Sequence, residues 1–270
     1  MSGIELSAFE QLPVVVLPCR FNWESFISSG HHEQLNLLRS ASELADRTFL
    51  NFMRYWKCRL DSTNSLPSRP GQTKNNPRMA GAMSYNSKAR EARIVGGAAF
   101  TYTITDGLGM PVTQPEWDNM PTTGEVGTIV DHGLTLYSNL LEAPSNTAKF
   151  MQAVAMLEYL AFPEEYRPLK KVRAVVVRDS AKTMQEHDLL TKRFQNDLFG
   201  PNGYRTRIVH NGQRLEHLIP DRHERISLFR ELDGYIRNMV DDMINRSGLT
   251  WQEYVEHRKH NGLGRCDDED

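Results

Sequence analysis

Apolar and polar residues alternate in two different ways along this chain, and the change comes near residue 128. Before it the signals are mixed. Across residues 31–61, Leu35, Leu38, Ala41, Ala45, Phe49, Phe52 and Trp56 recur at steps of three or four, which predicts one long amphipathic helix. The short run Leu12–Pro18, with proline near both ends, predicts a brief edge strand. Arg93–Thr105 sets Phe100, Tyr102 and Ile104 against Thr101, Thr103 and Thr105, the period of a strand, and Asp106-Gly107 supplies a turn. Residues 61–90 crowd Ser, Asn, Pro and Gly together. Pro67, Pro70 and Pro77 forbid a continuous helix there, so that stretch and 108–126 are expected as loops.

Beyond residue 128 the period becomes helical. Helices are predicted over Ile129–Leu141 and over Thr147–Ala161. The second has Ser145 or Asn146 as cap, Pro163 as stop, and Phe150, Val154, Leu157 and Ala161 on one face. Leu169–Phe199 reads as helix with a break near Asp179-Ser180. A turn at Gly200–Gly203 leads to a helical segment, Tyr204–Val209, and then a loop through Pro220. Ile226–Ile244 is cleanly amphipathic through Phe229, Leu232, Ile236, Met239, Val240 and Met243. Thr250 and Glu253 have capping-box spacing and open a last short helix. The expected fold is mainly α. An N-terminal α+β portion (1–127) holds a long helix and a small sheet, a helical bundle spans 128–260, and 261–270 form an acidic, disordered tail.

Composition narrows the functions. A hydrophobic fraction of 39% with 24% charged residues is that of a globular, water-facing chain, and no run of 18 apolar residues could span a membrane. The N-terminus lacks a basic and then apolar leader, and Cys19, Cys58 and Cys266 have neither disulfide nor metal spacing. A cytoplasmic protein with reduced thiols is expected. A net charge of −2 gives no global attraction to nucleic acid, so any such site must be a local patch. Two stretches qualify. Arg69, Lys74, Arg78, Lys88 and Arg90 lie in a segment with no acid between Asp61 and Glu91, which fits either an RNA-touching loop or a solvated linker. Residues 200–215 also contain no acid and carry Arg205, Arg207 and Arg214.

The second stretch holds the candidate chemistry. Arg205 and His210 stand five positions apart at the end of a predicted helix, with Gly212 just beyond. A guanidinium grips phosphate oxygens in a planar fork, and an imidazole moves protons near neutral pH. Together they supply what RNA cleavage by internal 2′-OH attack requires. The plainer alternative makes His210 a loop residue and Arg205 an ion-pair partner. Tyr204 could stack on a base or belong to the core, and Arg207 and Arg214 could position phosphates. Glu158, on the face of an apolar helix, could orient Arg205 or simply be exposed. No cofactor is expected: glycine-rich phosphate loops are absent, and His210, His217 and His223 lack a metal-ligand pattern.

Two segments in this helix order resemble the HEPN superfamily, the higher eukaryote and prokaryote nucleotide-binding helical bundles, and within it the ApeA-like branch. They are Ala155-Met156-Leu157-Glu158-Tyr159-Leu160 and Tyr204–Gly212, and the resemblance covers about residues 128–258. Thr206 stands where that family often has Asn, Asp or Ser, and Asn211 intervenes between His210 and the glycine. The resemblance implies a metal-independent endoribonuclease, possible as a toxin or antiviral effector, that acts as a homodimer. Arg205 and His210 would be catalytic, Glu158 and Thr206 supporting, and Tyr204, Arg207 and Arg214 RNA-binding. The family also includes inactive members that dimerise or hold RNA or a partner protein. Residues 1–127 are expected to sense or gate, since they show no nucleolytic constellation.

Overall fold

In the computed structural model the chain is mainly helical over its described residues, which are 20, 22–61, 72–73, 76–79, 81–86, 88, 91–96, 120–121 and 124–261. It divides into two compact units, Met1–Lys57 with Ser65–Trp117 and Cys58–Asn64 with Asp118–Asp270. The expected strand at Leu12–Pro18 lies outside the described residues, as does the expected tail 261–270 apart from Asn261, which is helical.

The first unit begins with α1 (Trp23–Ser28) and α2 (His31–Ala45), then a π-helical turn (Asp46–Leu50) and α3 (Asn51–Lys57). Asn22 caps α1 by accepting the Ser25 N–H at 3.0 Å. Phe26 is buried with Leu38, against Trp23 and Leu35. The single helix predicted over 31–61 is therefore a helical run that stops at Lys57 and contains a π turn. A π turn takes an extra residue per turn and rotates the apolar stripe. Asn51–Tyr55, which together cover every face of α3, are all buried, whereas Trp56, placed on the stripe by its spacing, is 38% exposed. Arg54, itself buried, reaches back across the π turn to Asp46 at 2.8 Å.

Two antiparallel hairpins follow, β1 (Gln72–Thr73) with β2 (Asn76–Met79) and β3 (Gly81–Asn86) with β4 (Glu91–Gly96). They correct the loop expected over 61–90. Pro77 did not exclude a strand, because both strands of a two-stranded ladder are edges and one side needs no N–H donor. The small sheet drawn through Arg93–Thr105 is not supported in that form: strand covers only Glu91–Gly96, and 97–105 lie outside the described residues.

The second unit holds α4 (Glu125–Leu141), α5 (Asn146–Ala161), α6 (Leu169–Ser180) and α7 (Met184–Arg193), the last running into a π turn (Phe194–Leu198). Then come α8 (Tyr204–Val209), α9 (Leu215–Leu218), α10 (Arg222–Asn245) and α11 (Trp251–Asn261). Capping residues set several of these ends. Ser145 accepts from the Ala148 N–H, Thr183 from Glu186 and Asp221 from Glu224. Thr250 and Glu253 close a reciprocal capping box. The break in Leu169–Phe199 falls at Ala181–Thr183, just past its predicted place.

α10 packs against α4, α5 and α6, and its buried Leu232, Ile236, Met239 and Val240 share the core with Val130 and Leu134 of α4 and Phe150, Val154 and Leu157 of α5. α4 starts four residues earlier than its periodicity indicates, at Glu125. Its first N–H groups find partners far along the chain, Val126 on the Leu249 carbonyl and Gly127 on the Ser247 carbonyl. A Cβ on Gly124 would stand 2.4 Å from the Ser247 oxygen, so only glycine permits this approach.

One buried polar knot joins three segments of this unit. The Tyr137 hydroxyl donates to Asp233 at 2.6 Å, and Arg237 donates to the other Asp233 oxygen at 2.9 Å. Arg237 also donates to the Cys58 carbonyl at 2.6 Å, tying the Cys58–Asp61 stretch to α4 and α10. Burial and the neighbouring Asp233 carboxylate push the Tyr137 phenol far above its ordinary pKa, so it remains a donor.

Candidate active site

The turn before α8 fixes how that helix is presented. The Gly203 N–H donates to the Gly200 carbonyl at 2.9 Å, and a Cβ at Gly200 would lie 1.8 Å from the Gln195 oxygen. The Thr206 hydroxyl donates to the same Gly200 carbonyl at 2.8 Å, which fastens the first turn of α8 to the loop. Tyr204 meets Phe150 of α5 edge to face, ring centroids 6.2 Å apart, and anchors the helix on the bundle. Of its two sequence readings, packing is the one with a visible contact.

His210 ends α8. Its N–H donates to the Thr206 carbonyl at 2.9 Å and its backbone is still right-handed helical. Two residues on, Gly212 takes φ +64°. No atom lies within 4 Å of a Cβ built there, so only the backbone conformation favours glycine. Gly212→Ala is therefore expected to cost about 1 kcal/mol in urea denaturation, the usual penalty for a left-handed L-residue.

Arg205 turns inward. Its Nε lies 3.6 Å from Glu158 Oε1 of α5, an ion-pair distance beyond hydrogen-bond reach. Both side chains are about three-quarters buried, and no hydrogen bond from the guanidinium forms among the described residues. His210 points elsewhere. Five residues along a helix turn the direction by about 140° between the two side chains. The His210 ring is exposed, without hydrogen bond or ion pair among the described residues, and Val209 beside it is exposed as well. The two candidate groups of one chain thus project to different sides of α8.

The other basic residues differ in how they are held. Arg207 donates from Nε to Gln213 Oε1 at 2.8 Å, and the Gln213 N–H returns to the Arg207 carbonyl at 3.2 Å. Arg214 is exposed at the start of α9, whose Leu215 N–H donates to Thr147 Oγ1 of α5. Glu216 follows and accepts from Asn146 and Thr147. Partial burial opposes its charge, but its own backbone N–H, those two side chains and Arg225 outweigh it and hold the carboxyl below its ordinary pKa. Sequence reasoning missed Gln213 and Thr147, which brace the site. Their partners are set by the α8–α9 turn and by α5, not by any local pattern.

No family model, no curated protein and no solved structure matches this chain. Among the described residues no group of three or more His, Cys, Asp or Glu side chains could hold a metal ion. No described helix is long and apolar enough to cross a membrane.

Proposed function

We propose that the chain is a HEPN-type endoribonuclease that uses Arg205 and His210 without a metal ion and works as a homodimer. The observation that carries this reading is the unspent guanidinium of Arg205. Its Nε is buried without a hydrogen-bond partner and its ion pair with Glu158 is long, so the guanidinium remains able to take an incoming acceptor. A phosphodiester supplies two acceptor oxygens in the geometry of the fork. Glu158 keeps the arginine in place, and Thr206 and Tyr204 hold α8 against the rest of the unit.

In the reaction the ribose 2′-oxygen attacks phosphorus and the bond from phosphorus to the 5′-oxygen breaks. An imidazole accepts the 2′-OH proton, and an imidazolium gives one to the departing 5′-oxygen. Arg205 stabilises the charge that gathers on the phosphoryl oxygens, while Arg207 and Arg214 hold neighbouring phosphates. The products are a 2′,3′-cyclic phosphate and a 5′-hydroxyl. Because Arg205 and His210 of one chain diverge around α8, a second copy completes the cleft. Exposed Val209 beside His210 suits a surface that a partner covers. A cell needs such an enzyme restrained, as in a toxin or an antiviral effector, and the first unit is the part available for gating.

A second reading, a non-catalytic dimerisation or RNA- or partner-binding module, draws on the Arg205–Glu158 pair, which also serves as a plain structural ion pair. Mixing Arg205→Ala with His210→Ala protein separates the two. Each variant alone is expected to be nearly inactive on single-stranded RNA, and the mixture to regain part of the activity through mixed dimers. No recovery from two folded, dimeric variants would remove the composite cleft. Full activity of either variant alone would remove the mechanism.

A further inference from the structure

A cavity of about 200 Å³ opens where the first turns of α5 and α10 meet Leu60 and Asp61. It lies at the opposite end of α5 from Glu158. Lys149 forms its inner wall, 5% exposed, with Nζ donating to the Leu60 carbonyl at 3.0 Å and standing 5.3 Å from the centre of the Phe229 ring. Burial pushes this ammonium below the ordinary lysine value, against the opposing pull of Asp233 and Asp61. Arg225 lines the cavity too, its Nη1 held by the Ile219 and Pro220 carbonyls at 2.6 and 2.7 Å. Arg222 completes the cationic lining. It is exposed and has no hydrogen bond or ion pair among the described residues. The lining carboxylate, Asp61, is already paired with Arg230 at 2.8 Å.

Three cations, Lys149, Arg222 and Arg225, thus line one small space with the carboxylate of Asp61, which Arg230 also pairs with. Two of them, Arg222 and Arg225, sit in the first turn of α10, where the helix dipole disfavours positive charge. Glu216 offsets Arg225 and Asp61 offsets Lys149 in part, whereas Arg222 has no ion pair among the described residues, and an anion held between the three groups would meet it. A bare phosphate would leave much of the cavity empty, and Ile226 and Phe229 offer an apolar wall for an organic body.

We propose that this cavity is a binding site for a small phosphate monoester, whose dianionic head lies between Lys149, Arg222 and Arg225 and whose organic part lies on Ile226 and Phe229. A small ester fits better than a polynucleotide, because the phosphodiester of a chain carries one charge and cannot enter a recess of this size end-on without a terminal phosphate. The assignment is independent of the ribonuclease reading and uses none of its residues.

The test is calorimetric titration of the full chain, in phosphate-free buffer, with phenyl phosphate, inorganic phosphate, phenol and a 5′-hydroxyl oligonucleotide. One-site, Arg222-dependent binding of phenyl phosphate is expected, tighter than inorganic phosphate, with none for phenol and no Arg222-dependent binding for the oligonucleotide. Arg222→Ala should weaken it about tenfold, the scale of one lost charge-assisted contact, and Arg222→Glu should abolish it. Arg222 is exposed, so both variants keep the fold, as circular dichroism would verify. Failure of phenyl phosphate to saturate at millimolar concentration overturns the site, as does unchanged affinity in Arg222→Glu. Binding of the oligonucleotide with the same dependence on Arg222 overturns the small-ligand assignment.

Discussion

Replacing His210 with alanine is expected to lower RNA cleavage by about 10²–10⁴-fold, the range for a group that moves a proton in the transition state. The fold should be untouched, because the ring is exposed and makes no contact that holds α8 in place. Arg205→Ala should cause a loss of similar size for a different reason: it removes charge stabilisation from the phosphoryl oxygens. Arg205→Lys should not restore the rate, since an ammonium lacks the planar fork that meets two oxygens at once. Glu158→Gln leaves a side chain of the same shape but removes the charge 3.6 Å from Arg205. A smaller loss is expected there, because the arginine keeps its own charge and loses only its guide. Arg207→Ala should mainly weaken RNA binding and reduce its salt dependence, the signature of a phosphate contact. Single-turnover rates on a short single-stranded RNA, with binding measured separately, distinguish these effects.

The largest expected effect on stability comes from Asp233. This carboxylate is buried, accepts from Tyr137 and Arg237, and through Arg237 holds the Cys58 carbonyl. Asp233→Ala removes the carboxylate that pairs with the Arg237 guanidinium in a site only 14% exposed. Removing one partner of a buried pair costs about 3–5 kcal/mol. For a chain of this size that corresponds to a fall in Tm of roughly 10 °C. Asp233→Asn keeps the shape and one acceptor oxygen and should lose distinctly less. Thermal and urea denaturation followed by circular dichroism check both variants. A loss below about 1 kcal/mol for Asp233→Ala would mean that the knot orders these segments without stabilising them.

The bundle was largely legible in the sequence because its signals are local. Phe150, Val154, Leu157 and Ala161 have helical spacing and are all buried, as are Phe229, Leu232, Ile236, Met239, Val240 and Met243. Thr250 and Glu253 announced their helix through a capping box that needs only four residues. What escaped were features settled by distant partners. The early start of α4 depends on carbonyls of Ser247 and Leu249, more than a hundred residues away. The π turn at Asp46–Leu50 interrupts the constant period that had been drawn through Trp56, and Trp56 is exposed while Phe52 on the same stripe is buried. β1 and β2 were hidden because strands this short carry little alternation, and because Pro77 argues against strand everywhere except at an edge, whereas β4 overlaps the strand expected from Arg93.

The site was legible as a set of residue types and not as a geometry. Sequence placed Arg205 beside a helix bearing Glu158, and the ion-pair distance between them is now visible. A helix that loosened near Asn211-Gly212 would let Arg205 and His210 of one chain lean toward one small site, and the structure corrects that expectation. With α8 helical through Val209 and His210 still in helical backbone, they diverge. Nothing in the order of residues could reveal the cavity around Lys149, whose lining comes from three separate stretches of chain.

RNA cleavage by internal 2′-oxygen attack is the activity we propose for this chain. The purified 270-residue chain is to be incubated with a single-stranded RNA in excess EDTA, and the product ends analysed. The account expects cleavage to persist in EDTA and to leave 2′,3′-cyclic phosphate and 5′-hydroxyl ends, with His210→Ala inactive under the same conditions. RNA left intact at micromolar protein, cleavage stopped by EDTA, or products with 5′-phosphate ends would contradict it.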